Sequence, residues 1–130
     1  MLEKITAKDY MSASLVTLAP DTDVMEAIQK LLKNRITAAP VLDNHGNLVG
    51  IFGELDCMNV VLKSSYEQSM GGKVSEFMTQ DVQKVEKETS IVDLASLFCK
   101  SSLRTFPVFD DVELVGVISR TDVLRALTSR

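Results

Sequence analysis

The stretch GVISRTDVL, Gly116–Leu124, sets a serine and an aspartate three residues apart directly after an apolar run. Sixty-six residues earlier the chain reads GIFGELDCM, Gly50–Met58, with the same glycine and aspartate but with Gly53 where the serine stands. The match extends outward from both stretches. Ser14–Asp43, SLVTLAPDTDVMEAIQKLLKNRITAAPVLD, lies over Asp81–Asp110, DVQKVEKETSIVDLASLFCKSSLRTFPVFD. This places Pro40 on Pro107, Asp43 on Asp110 and Met11 on Met78 at an offset of 67. The polar turn DNHGN is one residue shorter in the second copy, so the offset drops to 66 and pairs Leu48-Val49-Gly50 with Leu114-Val115-Gly116. Self-similarity at a fixed spacing means one structural unit built twice.

Each copy carries its elements in the same order. A short extended piece, SLVTL or DVQKV, precedes a helix whose apolar residues fall at helical spacing: Val24, Ala27, Ile28, Leu31 and Leu32, then Ile91, Leu94, Ala95, Phe98 and Cys99. Asp21-Thr22-Asp23 and Glu88-Thr89-Ser90 supply capping oxygens and negative charge at the helix starts. Two β-type runs joined by a polar turn follow, APVLD with LVGIF and FPVFD with ELVGVIS, and read as hairpins. A last helix, roughly Glu54–Lys63 and Arg120–Ser129, closes each copy. The fold class expected is α/β (α+β), two βαββα repeats packed with pseudo-two-fold symmetry, because one unit this small cannot close a core alone. The division expected is residues 1–63, a loop-like connector over 64–76, and residues 77–130.

Composition narrows the function. The chain has 130 residues, 45% hydrophobic and 25% charged, with a net charge of −4. No apolar run approaches the ~20 residues of a membrane helix, and no leading apolar segment marks a secretory signal. A cytoplasmic protein is expected. A broad nucleic-acid footprint would need an excess of Lys and Arg, which is absent, although Lys100, Arg104, Arg120 and Arg125 gather in the last third. Cys57 and Cys99 stand far apart without metal-ligand spacing, so free buried thiols are expected and no metal site. The lone histidine, His45, falls in the polar turn, and no nucleophile-base set, Walker loop or Rossmann glycine fingerprint is present. The chain does not read as an enzyme.

The repeated pattern of Pro-Val-x-Asp, hairpin, Leu-Val-Gly-apolar-apolar, and an aspartate three residues after the small polar position resembles the CBS domain. Two copies over nearly the whole chain resemble a stand-alone CBS pair, or Bateman module. That resemblance implies a regulatory module that binds an adenine nucleotide (AMP, ADP or ATP), with S-adenosylmethionine as an alternative, in clefts between the copies. It further implies a downstream protein partner to which the module signals. The resemblance also implies that Asp122 and Asp56 accept the ribose hydroxyls, and that Ser119, with Arg120 and Arg104 nearby, meets phosphate. The adenine then lies near Thr105 and Ala38, just before each proline. The family's stacking of pairs through exposed helices implies a homodimer.

The residues support this chemistry without demanding it. If Ser119 caps the last helix, the N–H groups of Arg120, Thr121 and Asp122 face a ligand at its positive end, with Arg120 as a mobile cation. The same Ser-x-x-Asp spacing is that of a capping box, a purely structural device. Gly53 lacks the hydroxyl, so either the first site holds phosphate less well or glycine admits a closer backbone approach. A dimerisation or interaction domain that binds no nucleotide is the competing reading.

Overall fold

The computed structural model describes residues 2–68 and 71–129. Met1, Ser69, Met70 and Arg130 lie outside the described residues; Ser69 and Met70 belong to the expected connector and Arg130 to the expected second repeat. After a 3₁₀ turn at Leu2–Lys4, the helices are α1 (Ala7–Tyr10), α2 (Val24–Asn34), α3 (Glu54–Glu67), α4 (Val74–Phe77), α5 (Ile91–Cys99) and α6 (Arg120–Thr128). The strands are β1 (Ala38–Leu42), β2 (Leu48–Gly53), β3 (Val85–Glu86), β4 (Thr105–Asp110) and β5 (Glu113–Ser119). The mixed α+β class and the two repeats of helix and strands are as expected. Among the described residues no helix is long and apolar enough to cross a membrane.

The chain divides into two compact units. One holds Val16–Val82, and the other Met1–Leu15 with Gln83–Arg130. In the first, β1 and β2 form an antiparallel hairpin with Ala38 opposite Gly53. SLVTL contributes a single parallel bridge, Leu18 to Val41. In the second, β4 and β5 pair with Thr105 opposite Ser119, and the end of DVQKV forms β3, parallel to β4. Each unit has its own core. Val24, Ala27 and Leu31 of α2 pack with Val41, Phe52, Val60 and Val74; Ile91, Leu94 and Phe98 of α5 pack with Ala7, Phe106, Val108, Ile118 and Ala126.

The apolar stripes are narrower than expected. Leu32 is 73% exposed, and Ala95 and Cys99 are exposed too. Leu32 and Cys99 lie one residue, about 100° of helix, beyond the buried Leu31 and Phe98, which carries them off the packed face. Of the two thiols expected to be buried, only Cys57 is; burial pushes its pKa up to about 11. The connector is partly helical. SSYE contains no helix breaker, so α3 runs on to Glu67, where Gln68 ends it in the left-handed conformation (φ 54°). Asp23 and Ser90 cap α2 and α5 with their side chains.

Each repeat's lead-in docks on elements of the other repeat. In the unit built on the second repeat, Thr6 bridges to Ser90 and Ser12 to Val117; in the other, Lys73 bridges to Asp23 and Thr79 to Ile51. Ser12 and Val117 exchange both N–H···O bonds, at 2.9 and 3.0 Å, and Thr79 and Ile51 do so at 2.8 Å each. Two strand glycines permit this approach. A Cβ on Gly116 would stand 2.6 Å from the Ser12 carbonyl oxygen and 2.9 Å from Met11 Sδ, and one on Gly50 would stand 2.9 Å from both the Thr79 carbonyl oxygen and Met78 Sδ. A glycine inside a strand marks such close backbone contact. Gly116→Ala is therefore expected to destabilise the protein by about 1–3 kcal/mol in urea unfolding, as overpacking does, and to open the N-terminal lead-in to limited proteolysis. A variant as stable and as protease-resistant as the parent would contradict this packing.

Candidate functional site

The sequence motif closes into a real cap at the start of α6. Ser119 ends β5, its Oγ accepts the Asp122 N–H at 3.2 Å, and Asp122 Oδ2 accepts the Ser119 N–H at 2.8 Å. Asp122 Oδ1 accepts from an Arg125 guanidinium nitrogen at 2.5 Å, an i,i+3 pair along the helix. The Asp122 residue is only 7% exposed. Across the hairpin, Thr105 is buried opposite Ser119, and the Arg104 carbonyl accepts the Arg120 N–H at 3.0 Å. Ser119, Arg120, Asp122, Thr105 and Arg104 thus meet where β4, β5 and α6 join.

Two expectations change here. Of the three N–H groups offered to a phosphate at this helix end, that of Arg120 is donated to Arg104 and that of Asp122 to Ser119, because the cap satisfies the helix terminus from within the protein. Nor does Arg120 swing freely. Its guanidinium donates to the Ser101 carbonyl at 2.8 Å and its carbon lies 6.0 Å from the Phe98 ring centroid, a ring itself stacked on Phe106 at 4.0 Å. Arg120 Nε is buried without a hydrogen-bond partner.

The unit Val16–Val82 repeats the geometry with different chemistry. Ala38 lies opposite Gly53, the Thr37 carbonyl accepts the Glu54 N–H at 3.1 Å, and Asp56 Oδ2 accepts the Gly53 N–H at 2.8 Å. The remaining oxygen, Oδ1, accepts the Thr79 hydroxyl at 3.1 Å. Asp56 and Ala38 are 8% and 6% exposed. Position by position, Ser119, Arg120, Thr105 and Arg104 are replaced by Gly53, Glu54, Ala38 and Thr37. The backbone does not require Gly53: its φ of −129° is open to any residue, and a Cβ there would meet Ala38 Cβ and the Thr37 carbonyl oxygen at 3.4 Å, an ordinary contact. The missing hydroxyl is a difference in chemistry, not in packing.

Sequence reasoning overlooked two partners. Thr79 lies 23 residues from Asp56 and reaches it only through the docked lead-in; its alignment with Ser12, next to the paired Met78 and Met11, was the available signal. Arg125 was visible as part of a basic group, but its partner was not.

Comparison with known proteins places these units. The family model for the CBS domain matches residues 7–63 and 74–129. CBS domain-containing protein DDB_G0289609 of Dictyostelium discoideum is 32% identical over 134 residues, covering 95% of this chain and 92% of that protein. The structure of CBSX2 in complex with AMP superposes with a TM-score of 0.81 at 28% identity, covering 96% of this chain and 97% of that one. The CBS domain pair of protein MJ0100, in complex with 5′-methylthioadenosine and S-adenosyl-L-methionine, gives a TM-score of 0.81 at 27% identity, covering 95% and 96%.

Burial raises the Asp56 pKa above the ordinary value of 3.8, and the bonds from Gly53 and Thr79 oppose that rise without cancelling it. A carboxyl whose folded pKa is raised stabilises the fold below its ordinary value and loses that contribution as pH rises through the raised one. Carboxyl-carbon NMR titration is expected to place Asp56 above 3.8, with Thr79→Val moving it higher still. Asp56→Asn is expected to remove this part of the pH dependence of unfolding. An Asp56 that titrates below the ordinary value would refute the assignment.

Proposed function

This chain belongs to the CBS domain family, and we propose that it is a regulatory module, not an enzyme, that binds an adenine nucleotide at the Asp122 site and passes its level to a protein partner. The observation that carries this reading is the Asp122 carboxylate, nearly buried and held in one orientation by the Ser119 N–H and Arg125. An ionised carboxylate offers about four acceptor positions, and the bonds from Ser119 and Arg125 occupy two. Those left suit the two vicinal hydroxyls of a ribose, each charge-assisted bond contributing on the order of 1.5–3 kcal/mol. Similarity to the structures of complexes with AMP and with S-adenosyl-L-methionine supports an adenosyl ligand. Thr105, Ser119 and Arg104 favour a phosphorylated one here. Asp56, among Ala38, Gly53 and Glu54, forms a second ribose site that holds phosphate less tightly.

A homodimer belongs to the same proposal. Leu55, Met58, Val61 and Leu62 on α3, and Leu124 and Leu127 on α6, are each more than half exposed, more apolar surface than a free helix face needs. The two cysteines without a disulfide suit a cytoplasmic setting.

Thermal unfolding with AMP, ADP, ATP, 5′-methylthioadenosine and S-adenosylmethionine tests the reading, because a ligand at about 100 times its Kd adds about 2.7 kcal/mol of stability. An upward shift is expected with at least one phosphorylated member. In calorimetric titration, Asp122→Ala is expected to weaken its binding at least tenfold, about 1.4 kcal/mol, and Asp56→Ala to weaken it less. No shift with any of the five would instead favour an interaction domain without nucleotide, and equal losses in the two variants would refute the asymmetry.

A further inference from the structure

We propose that Arg125 determines the charge of the ligand that the Asp122 site accepts: by pairing with the carboxylate, it allows an anionic ligand to sit against a site that would otherwise repel it. The inference rests on the nucleotide reading above and deepens it. In both units one carboxylate oxygen is committed to the backbone N–H before the helix, at 2.8 Å in each. The units differ at the other oxygen. Asp122 Oδ1 takes a guanidinium, whereas Asp56 Oδ1 takes the hydroxyl of Thr79, and the residue in the place of Arg125 is Asn59.

A hydroxyl orients a carboxylate but leaves its charge uncompensated. A guanidinium does both. Two like charges held on one ligand-sized scale inside a partly desolvated site repel appreciably more than they would in water, so a phosphate on a sugar whose hydroxyls face Asp56 meets a penalty that Arg125 removes at Asp122. The Asp122 side chain is 11% exposed and that of Arg125 57%. The carboxylate is therefore shielded from solvent while the cation keeps its outer face in water, which lowers the cost of holding the pair. Arg125 is in this sense a positioning and specificity residue, distinct from the Ser119 cap that orients the same carboxylate.

Titration calorimetry of the full chain with two probes, AMP and adenosine, separates charge selection from general binding. Arg125→Ala is expected to weaken AMP about tenfold and adenosine by no more than about twofold, with Arg125→Lys recovering most of the AMP preference. The AMP loss should shrink at high salt, because screening weakens charge effects on this length scale. Urea unfolding of each variant identifies any that fails to fold, and the Lys variant then decides the matter. Equal weakening of both probes, or no change in either, would overturn the proposal and leave Arg125 as a helix-stabilising partner only. If the parent protein binds neither probe, the nucleotide reading itself fails and this inference with it, an outcome distinct from an equal loss in the variant.

Discussion

Four times among the described residues a carboxylate three residues into the first turn of a helix accepts the backbone N–H of the residue that precedes the helix. Asp9 accepts from Thr6 at 2.9 Å, Asp56 from Gly53 at 2.8 Å, Glu76 from Lys73 at 2.7 Å and Asp122 from Ser119 at 2.8 Å. Two of these bonds turn a strand into a helix, and two turn a lead-in into the short helix that docks beside it. The interaction works because a helix start presents unsatisfied N–H groups and a positive dipole end, and a carboxylate answers both. At Asp56 and Asp122 it also fixes a buried carboxylate in one orientation, the property a sugar-binding site requires. The cap and the proposed site use the same atoms, so the structural and the ligand-binding interpretations of Ser-x-x-Asp do not compete.

What distinguishes the units is the chemistry grafted onto this shared frame. The backbone register is the same, Thr105 opposite Ser119 and Ala38 opposite Gly53. The second aspartate is paired with an arginine, Arg125, and the first with a hydroxyl, that of Thr79; Ser119 and Thr105 at the second junction are Gly53 and Ala38 at the first. Room for a serine at position 53 means that steric need does not hold the glycine there. The core keeps its apolar character at equivalent positions, Val41 with Val108 and Phe52 with Ile118, whereas the polar groups at the strand-to-helix junctions differ in kind.

The exchange of lead-ins explains why the repeat seen along the chain and the compact unit seen in space are different divisions. Thr6–Met11 follows the same pattern as Lys73–Met78, yet each completes the unit built on the other repeat. Gly50 and Gly116 make that docking sterically possible, and Met78 and Met11 fill the space beside them.

The linear order of residues was enough to establish the duplication, the hairpins, the capped helices and the two aspartates, since each rests on local spacing: 3.6-residue periodicity, turn chemistry, or a motif three residues long. It overestimated the buried stripes at Leu32 and Cys99, where a single residue's rotation decides burial. It could not supply the partners of the carboxylates. Thr79 reaches Asp56 across 23 positions because a lead-in docks there, Arg120, expected as a mobile cation, is bound to Ser101 and Phe98, and Arg125 is paired with Asp122. Local pattern specifies which groups exist. Only the packed chain decides which of them meet, because a hydrogen bond depends on separation in space, and folding sets that separation independently of distance along the sequence.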